Sequence, residues 1–155
     1  MRKHIVFLVA IGLMVASVAF AADLRSNIMQ KFVISPDTSV SDNSVTTGAV
    51  IDKRGYESVT YIIQTGTLAG SNVTLTPTVQ ECALDNCDDA ATATGLIGTV
   101  AGATFAATDD NTVKSIGYSG SKRFTRLVIT TANNTNAARF NAICILGNPK
   151  SGATQ

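Results

Sequence analysis

Nucleophilic catalysis needs a base beside the nucleophile, and the single histidine among these 155 residues is His4. It falls inside an N-terminal stretch that reads as a removable leader, so a Ser-His-Asp or Cys-His arrangement is excluded from the rest of the chain. Paired carboxylates can hydrolyse glycosides. Glu57 and Glu81 are of the right type, but nothing in their spacing raises them above solvated strand-end residues. Asp85, Asp88 and Asp89 share one loop, while Asp109, Asp110 and Asn111 share another. Oxygen-rich loops can hold calcium, yet neither has the ordered Asp-x-Asp-x-Asp-Gly spacing. Both read better as solvated acidic loops. Residues 117–122 (GYSGSK) superficially match a phosphate-cradling loop. Their glycines stand too close together, and Lys122 leads into a strand pattern where that loop requires a helix. The absence of Trp discounts stacking on sugars, although three Tyr are present. The expectation is a protein without catalytic residues, metal or cofactor.

Cysteine chemistry is more informative. Cys82 and Cys87 (CALDNC) stand five positions apart across a turn, and in an exported chain they are candidates for a disulfide. Cys144 is left over and reads as a small buried core residue. A Cys/His zinc site would need more ligands than the chain offers.

Export is suggested by residues 1–21. Arg2 and Lys3 form a positive start, 5–20 is an almost unbroken apolar run, and Ala19-Phe20-Ala21 fits a small-x-small cleavage site. An uncleaved membrane anchor is the alternative, but the apolar run falls short of the roughly 20 residues that span a bilayer. Cleavage would take Arg2 and Lys3 from 12 basic residues, leaving 10 against 11 acidic ones. A chain this close to neutral has no broad pull toward nucleic acid. The expected organisation is a signal at 1–21, one domain at 22–149 and a flexible tail at 150–155.

That domain is rich in Thr, Val, Ala, Gly and Asn, a bias toward strands and tight turns over helices. Residues 23–34 read as an arm and then a strand, 45–51 as a strand, and 52–55 (DKRG) as a turn. In 58–65, Val59, Tyr61 and Ile63 share one face; in 72–81, Val73, Leu75, Pro77 and Val79 do. Pro77 cannot donate to a ladder, which predicts an edge or a bulge there. Residues 85–94 read as an acidic loop with room for one helical turn, and 96–105 as a weak strand broken by Gly98 and Gly102. Residues 111–131 (NTVKSIGYSGSKRFTRLVITT) alternate on both sides of a Gly/Ser turn, the pattern of a β-hairpin. A last strand at 139–146 puts Phe140, Ala142, Cys144 and Leu146 on one face, and 147–155 reads as a loose tail. The sum is an all-β fold, a single antiparallel β-sandwich of about 7–8 short strands with little or no helix beyond the leader.

Five stretches in order, DLRSNIMQKFV (23–33), GAVIDKRGYES (48–58), LIG (96–98), NTVKSIGYSGSKRFTR (111–126) and ICILGNP (143–149), resemble a family of small β-rich virion proteins of tailed phages and prophages. Those proteins are encoded in the head-morphogenesis cluster near the major capsid protein. The resemblance spans about 23–149, and its most specific part is GYSGSKRFTR. It implies a capsid decoration or head-accessory role without catalysis or cofactor. One departure is the leader, because family members begin near the equivalent of Leu24.

Two functions are therefore expected. The first is a structural subunit whose Thr-faced strands pack on a repeating lattice, as a homo-oligomer or on a capsid-like partner. The second is an exported binding or adhesion module, periplasmic or extracellular, presenting residues 85–89 and the tip 119–122. Tyr118, Lys122, Arg123 and Arg126 are the candidate partner contacts. The three cations could instead guard a strand edge or pair with Asp109 and Asp110 in the same subunit. The expected location is outside the cytoplasm, with the virion as the alternative.

Overall fold

A computed structural model describes residues 24–150. The expected signal at 1–21 and the tail beyond Lys150 lie outside the described residues. A 3-10 turn, Leu24–Asn27, precedes twelve strands: β1 (Met29–Ile34), β2 (Ser39–Val40), β3 (Val45–Thr47), β4 (Ile51–Asp52), β5 (Tyr56–Leu68), β6 (Thr74–Cys82), β7 (Ala91–Thr92), β8 (Leu96–Ile97), β9 (Phe105–Ala106), β10 (Val113–Tyr118), β11 (Phe124–Ala132) and β12 (Ala138–Pro149). One sheet runs β1-β12-β5-β10-β8, with β2 also on β12. The other runs β3-β11-β6-β7, with β4 on β11 and β9 on β6. All the pairings are antiparallel. The expected all-β antiparallel sandwich is what forms.

Its connectivity differs from a set of hairpins. If the two-residue strands β2 and β8 are set aside and β3/β4 and β7/β9 are each counted as one interrupted strand, eight strand positions remain. Their orders, β1-β12-β5-β10 and β3/β4-β11-β6-β7/β9, are those of a jelly roll. Apart from β6 to β7/β9, each successive position lies in the opposite sheet. The stretch 111–131 is accordingly not a hairpin. Tyr118 pairs with Val59, while Phe124 pairs with Cys82 and Asp52, so residues 119–123 arch from one sheet to the other. Alternation flanking a turn is the same for an arch and a hairpin, which is why the sequence pattern misled. What separates them is Tyr118, whose buried ring runs into the interior and whose hydroxyl donates to Glu81 Oε2 at 2.7 Å on the opposite sheet.

Smaller corrections follow from local geometry. The strand expected at 45–51 breaks between β3 and β4, where Gly48 N–H reaches Leu127 O and Ala49 N–H reaches Val33 O, tying the two sheets together. A Cβ at Gly48 would lie 2.6 Å from Val33 Cγ1, so this corner needs glycine. The stretch 96–105 is not one weak strand. Between β8 and β9 it holds a helical turn, α1 (Val100–Ala103), whose N-cap Thr99 Oγ1 accepts from Gly102 N–H at 3.0 Å. The loop 85–94 has no helical turn and contains the short strand β7. Residues 147–149 belong to β12, and Lys150 N–H bonds Gly55 O, so 147–150 are not part of a loose tail. Pro77 lies opposite Ile129, in the stretch of β6 between its pairings with β7 and β9. Val79 O points away from β11 to Ala93 N–H, and Pro77, two residues earlier, presents its donorless nitrogen to that same open side.

The core follows the period-2 rule. Val59, Tyr61 and Ile63 of β5, Leu75 and Val79 of β6, Leu127 and Ile129 of β11, and Phe140, Ala142, Cys144 and Leu146 of β12 are all buried. Each large apolar side chain contributes roughly 1.5–3 kcal/mol on burial. Tyr61 Oη and Thr125 Oγ1 satisfy each other across the two sheets at 2.7 Å, and burial pushes the Tyr61 phenol up. Burial likewise pushes the free Cys144 thiol up to about 11. At the end of β6, Cys82 and Cys87 form the expected disulfide, with Cα atoms 5.2 Å apart. So small a loop contributes about 2 kcal/mol in the chain-entropy model.

Candidate functional site

Two surface features stand out, and strand order creates both. The first is the outer face of the β1-β12-β5-β10 sheet. Register aligns Phe32, Ile143, Ile62 and Ser115 in one row across four strands, and Gln30, Ile145, Thr60 and Gly117 in the next. Neither row carries a charge. Phe32 is 72% exposed and sits on β1, the terminal strand of its sheet. Val45 is 63% exposed on β3, the terminal strand of the other sheet, and the Gly48 corner brings these two edges together. The opposite outer face is lined with threonines, and Arg126 there donates to Gln80 Oε1 at 2.6 Å.

The second feature is a cationic cleft of about 310 Å³ at one end of the sandwich, with five cations among its lining residues: Lys53, Arg54, Lys122, Arg123 and Lys150. Three segments meet there: the β4–β5 turn, the arch 119–123 and the end of β12. Lys53 N–H donates to Arg123 O, and Lys150 N–H to Gly55 O, so the walls are pinned backbone to backbone. Lys53 is only 7% exposed. Its ammonium donates to the carbonyls of Gly120 and Glu57 and lies 5.2 Å from the Tyr118 ring centroid. Burial first, and then the nearby Lys150 charge, hold its pKa below the usual lysine range. Arg123 grips Asp52 with two bonds, Nε–Oδ1 at 3.0 Å and Nη2–Oδ2 at 2.6 Å, and stacks over Phe124. Arg54 reaches the same carboxylate at 3.7 Å.

The Arg123 bonds hold the Asp52 carboxyl at about 2, below its ordinary 3.8. A folded-state value depressed in this way stabilises the fold above the unfolded value, and that stability fades as pH falls from about 4 through about 2. Solvent screening keeps the contribution to about 1 kcal/mol. Asp52→Asn is expected to lower the unfolding free energy from urea melts at pH 7 by that amount, and by much less near pH 2, where the carboxyl is already half protonated. An equal loss at both pH values would mean the substitution acts by another route.

The candidate contacts taken from sequence are thus sorted. Lys122 is exposed at the cleft, and Arg123 lines it while bonded to Asp52. Arg126 lies on the sheet face with Gln80. Tyr118 is fully buried, with its hydroxyl bonded to Glu81 and accepting from Lys122 N–H at 3.1 Å, so it organises the arch and presents no accessible surface. The pairing considered with Asp109 and Asp110 does not form. Asp109 instead bonds Lys114 at 2.8 Å, and Asp110 caps Leu68 N–H at 2.7 Å. Asp89 bonds Ala83 and Leu84 N–H and closes its own loop. Among the described residues no group of three His, Cys, Asp or Glu is placed to hold a metal ion. Sequence reasoning missed Lys53, Arg54 and Lys150. The DKRG turn was the available signal for the first two.

No family model matches the chain, and no curated protein does. Among solved structures, the chain is similar to the VP2 subviral particle protein of infectious bursal disease virus (12% identity, TM-score 0.49), over 81% of this chain and 33% of that one. It therefore spans a third of that protein's length. The SPBc2 prophage-derived protein YomS (13% identity, TM-score 0.39) matches over 77% of this chain and 93% of its own. A xylan-binding domain (13%, 0.39) matches over 84% and 93%. All three score below 0.5 and define no relationship.

Proposed function

We propose that the protein is a non-enzymatic structural subunit of the capsid-accessory type, exported or virion-borne, that packs against copies of itself or against a repeating lattice. Two uncharged rows on the outer face of the β1-β12-β5-β10 sheet carry the reading. Phe32, Ile62, Ile143 and Ile145 lie there in register with neutral polar residues, and none of them is buried. Contiguous apolar surface of this kind marks contact sites, and a flat sheet face suits repeated, weakly polar contacts. Jelly rolls serve as capsid domains and as lectin domains alike, so the fold is compatible with the reading without requiring it. The disulfide suits an oxidising destination.

The second reading is an exported binding module, and the cationic cleft favours it. A density gradient of the producing culture, with peptide mass spectrometry on each fraction, separates the two. Banding with DNA-containing particles beside a major capsid protein is the expected result. Protein that stays soluble at the top sinks the lattice reading.

A further inference from the structure

We propose that the cationic cleft is a binding site for phosphate-class oxyanions, gathered by Lys53, Lys122 and Lys150 with Arg54 at its rim. Removing Arg2 and Lys3 from the 12 Lys and Arg leaves 10 in the described residues, and five of those line this one cleft. The chain as a whole is near neutral, so the concentration is local, and a concave site lined by one sign of charge focuses its field on an incoming anion. Among the described residues, Asp52 is the one carboxylate in ion-pair contact with these cations, through Arg123 and Arg54.

The donor types select the ligand. The planar fork of Arg123, which matches a carboxylate, is already filled by Asp52. The exposed ammonium groups of Lys122 and Lys150 remain, with the carbonyl-bound Lys53 adding its charge behind them, and these act as point charges that favour a compact oxyanion of high charge. Lys53 and Lys150 come from segments 97 positions apart in sequence, yet stand close enough to repel each other. An anion between them relieves that repulsion. The pinned backbone fixes the arrangement before any ligand arrives, which lowers the ordering cost of binding. A neighbouring hollow of about 460 Å³ shares Lys53, Ser121 and Lys150 and adds Ser58, Ser119 and Asn148 as neutral donors, but also Glu57. The charged group therefore belongs in the first cleft, and a polymer carrying it would run on across the second. The site stands independently of lattice packing, because it lies at the end of the sandwich and not on the sheet face.

The test is an NMR titration of the purified full chain with inorganic phosphate, pyrophosphate and linear polyphosphate. Saturable shifts at 53–56, 121–123 and 150 are expected, tighter for pyrophosphate than for phosphate. A further gain with polyphosphate would assign a polymeric source, and no gain a free anion. Lys122 and Lys150 are exposed, so the double variant Lys122→Ala/Lys150→Ala should fold normally and bind about tenfold or more weakly. Arg139→Ala, toward the far ends of β5 and β12, should leave binding unchanged. Absence of saturation by about 10 mM pyrophosphate, or equal weakening by Arg139→Ala, overturns the proposal. So does tighter binding of a glutamate-rich peptide or of a DNA oligonucleotide matched in charge to the polyphosphate.

Discussion

Gly95→Ala is expected to destabilise the fold by about 3 kcal/mol. Gly95 lies just before β8, and its carbonyl accepts from Ser119 N–H at 2.9 Å, where the arch leaves β10. A Cβ on it would stand 2.6 Å from both Gly120 Cα and Gly120 N. Those are backbone atoms, so no rotamer change can relieve the overlap. Gly120 itself packs against the Tyr118 ring, where an added Cβ would come within 2.5 Å. Moving the arch would loosen the Lys53 bond to Gly120 O and the Tyr118 bond to Glu81, each worth about 1 kcal/mol or more. Thermal unfolding should therefore drop by roughly 10 °C. Gly147→Ala makes the control, because its Cβ would meet Ser58 Oγ at an ordinary 3.4 Å. Equal melting temperatures for the two variants would show that the arch is not held by this glycine contact.

The arch also explains which parts of the fold were legible in sequence. Strand faces were readable wherever one side is buried: Val59-Tyr61-Ile63 and Phe140-Ala142-Cys144-Leu146 lie inside as their alternation requires. The Cys82–Cys87 bridge was readable because its partners are local. Sheet membership was not, since period-2 alternation states which way a side chain points and not which strand lies beside it. Tyr118 is the sharpest case: an aromatic residue beside a turn with cations after it suggested a surface tip, yet its hydroxyl finds a partner inside. The site was hidden for the same reason. Lys53 and Arg54 lie in one turn, Lys122 and Arg123 in an arch, and Lys150 beyond the last strand, and only jelly-roll strand order puts all of them at one end. The apolar row Phe32–Ile143–Ile62 is equally scattered in sequence and continuous only in register.

That row supports the second large effect. The double variant Phe32→Lys/Ile143→Lys is expected to weaken association with copies or lattice by at least about 100-fold, because like charges facing each other across a packed interface cost several kcal/mol. The fold should tolerate both changes. Phe32 is 72% exposed on a terminal strand, and Ile143 points to the outer side of β12, away from the core that Ala142 and Cys144 fill. A lysine at either position can lay its stem along the sheet and keep its ammonium in water. Melting should therefore stay within a few degrees of the parent. Sedimentation velocity measures the self-association, and the particle gradient measures lattice binding. Lys122→Ala serves as the internal comparison, since it weakens the cleft and leaves the sheet face intact. If the double lysine variant sediments and bands as the parent does, the two uncharged rows are not the contact surface, and the cleft becomes the leading route by which this sandwich meets a partner.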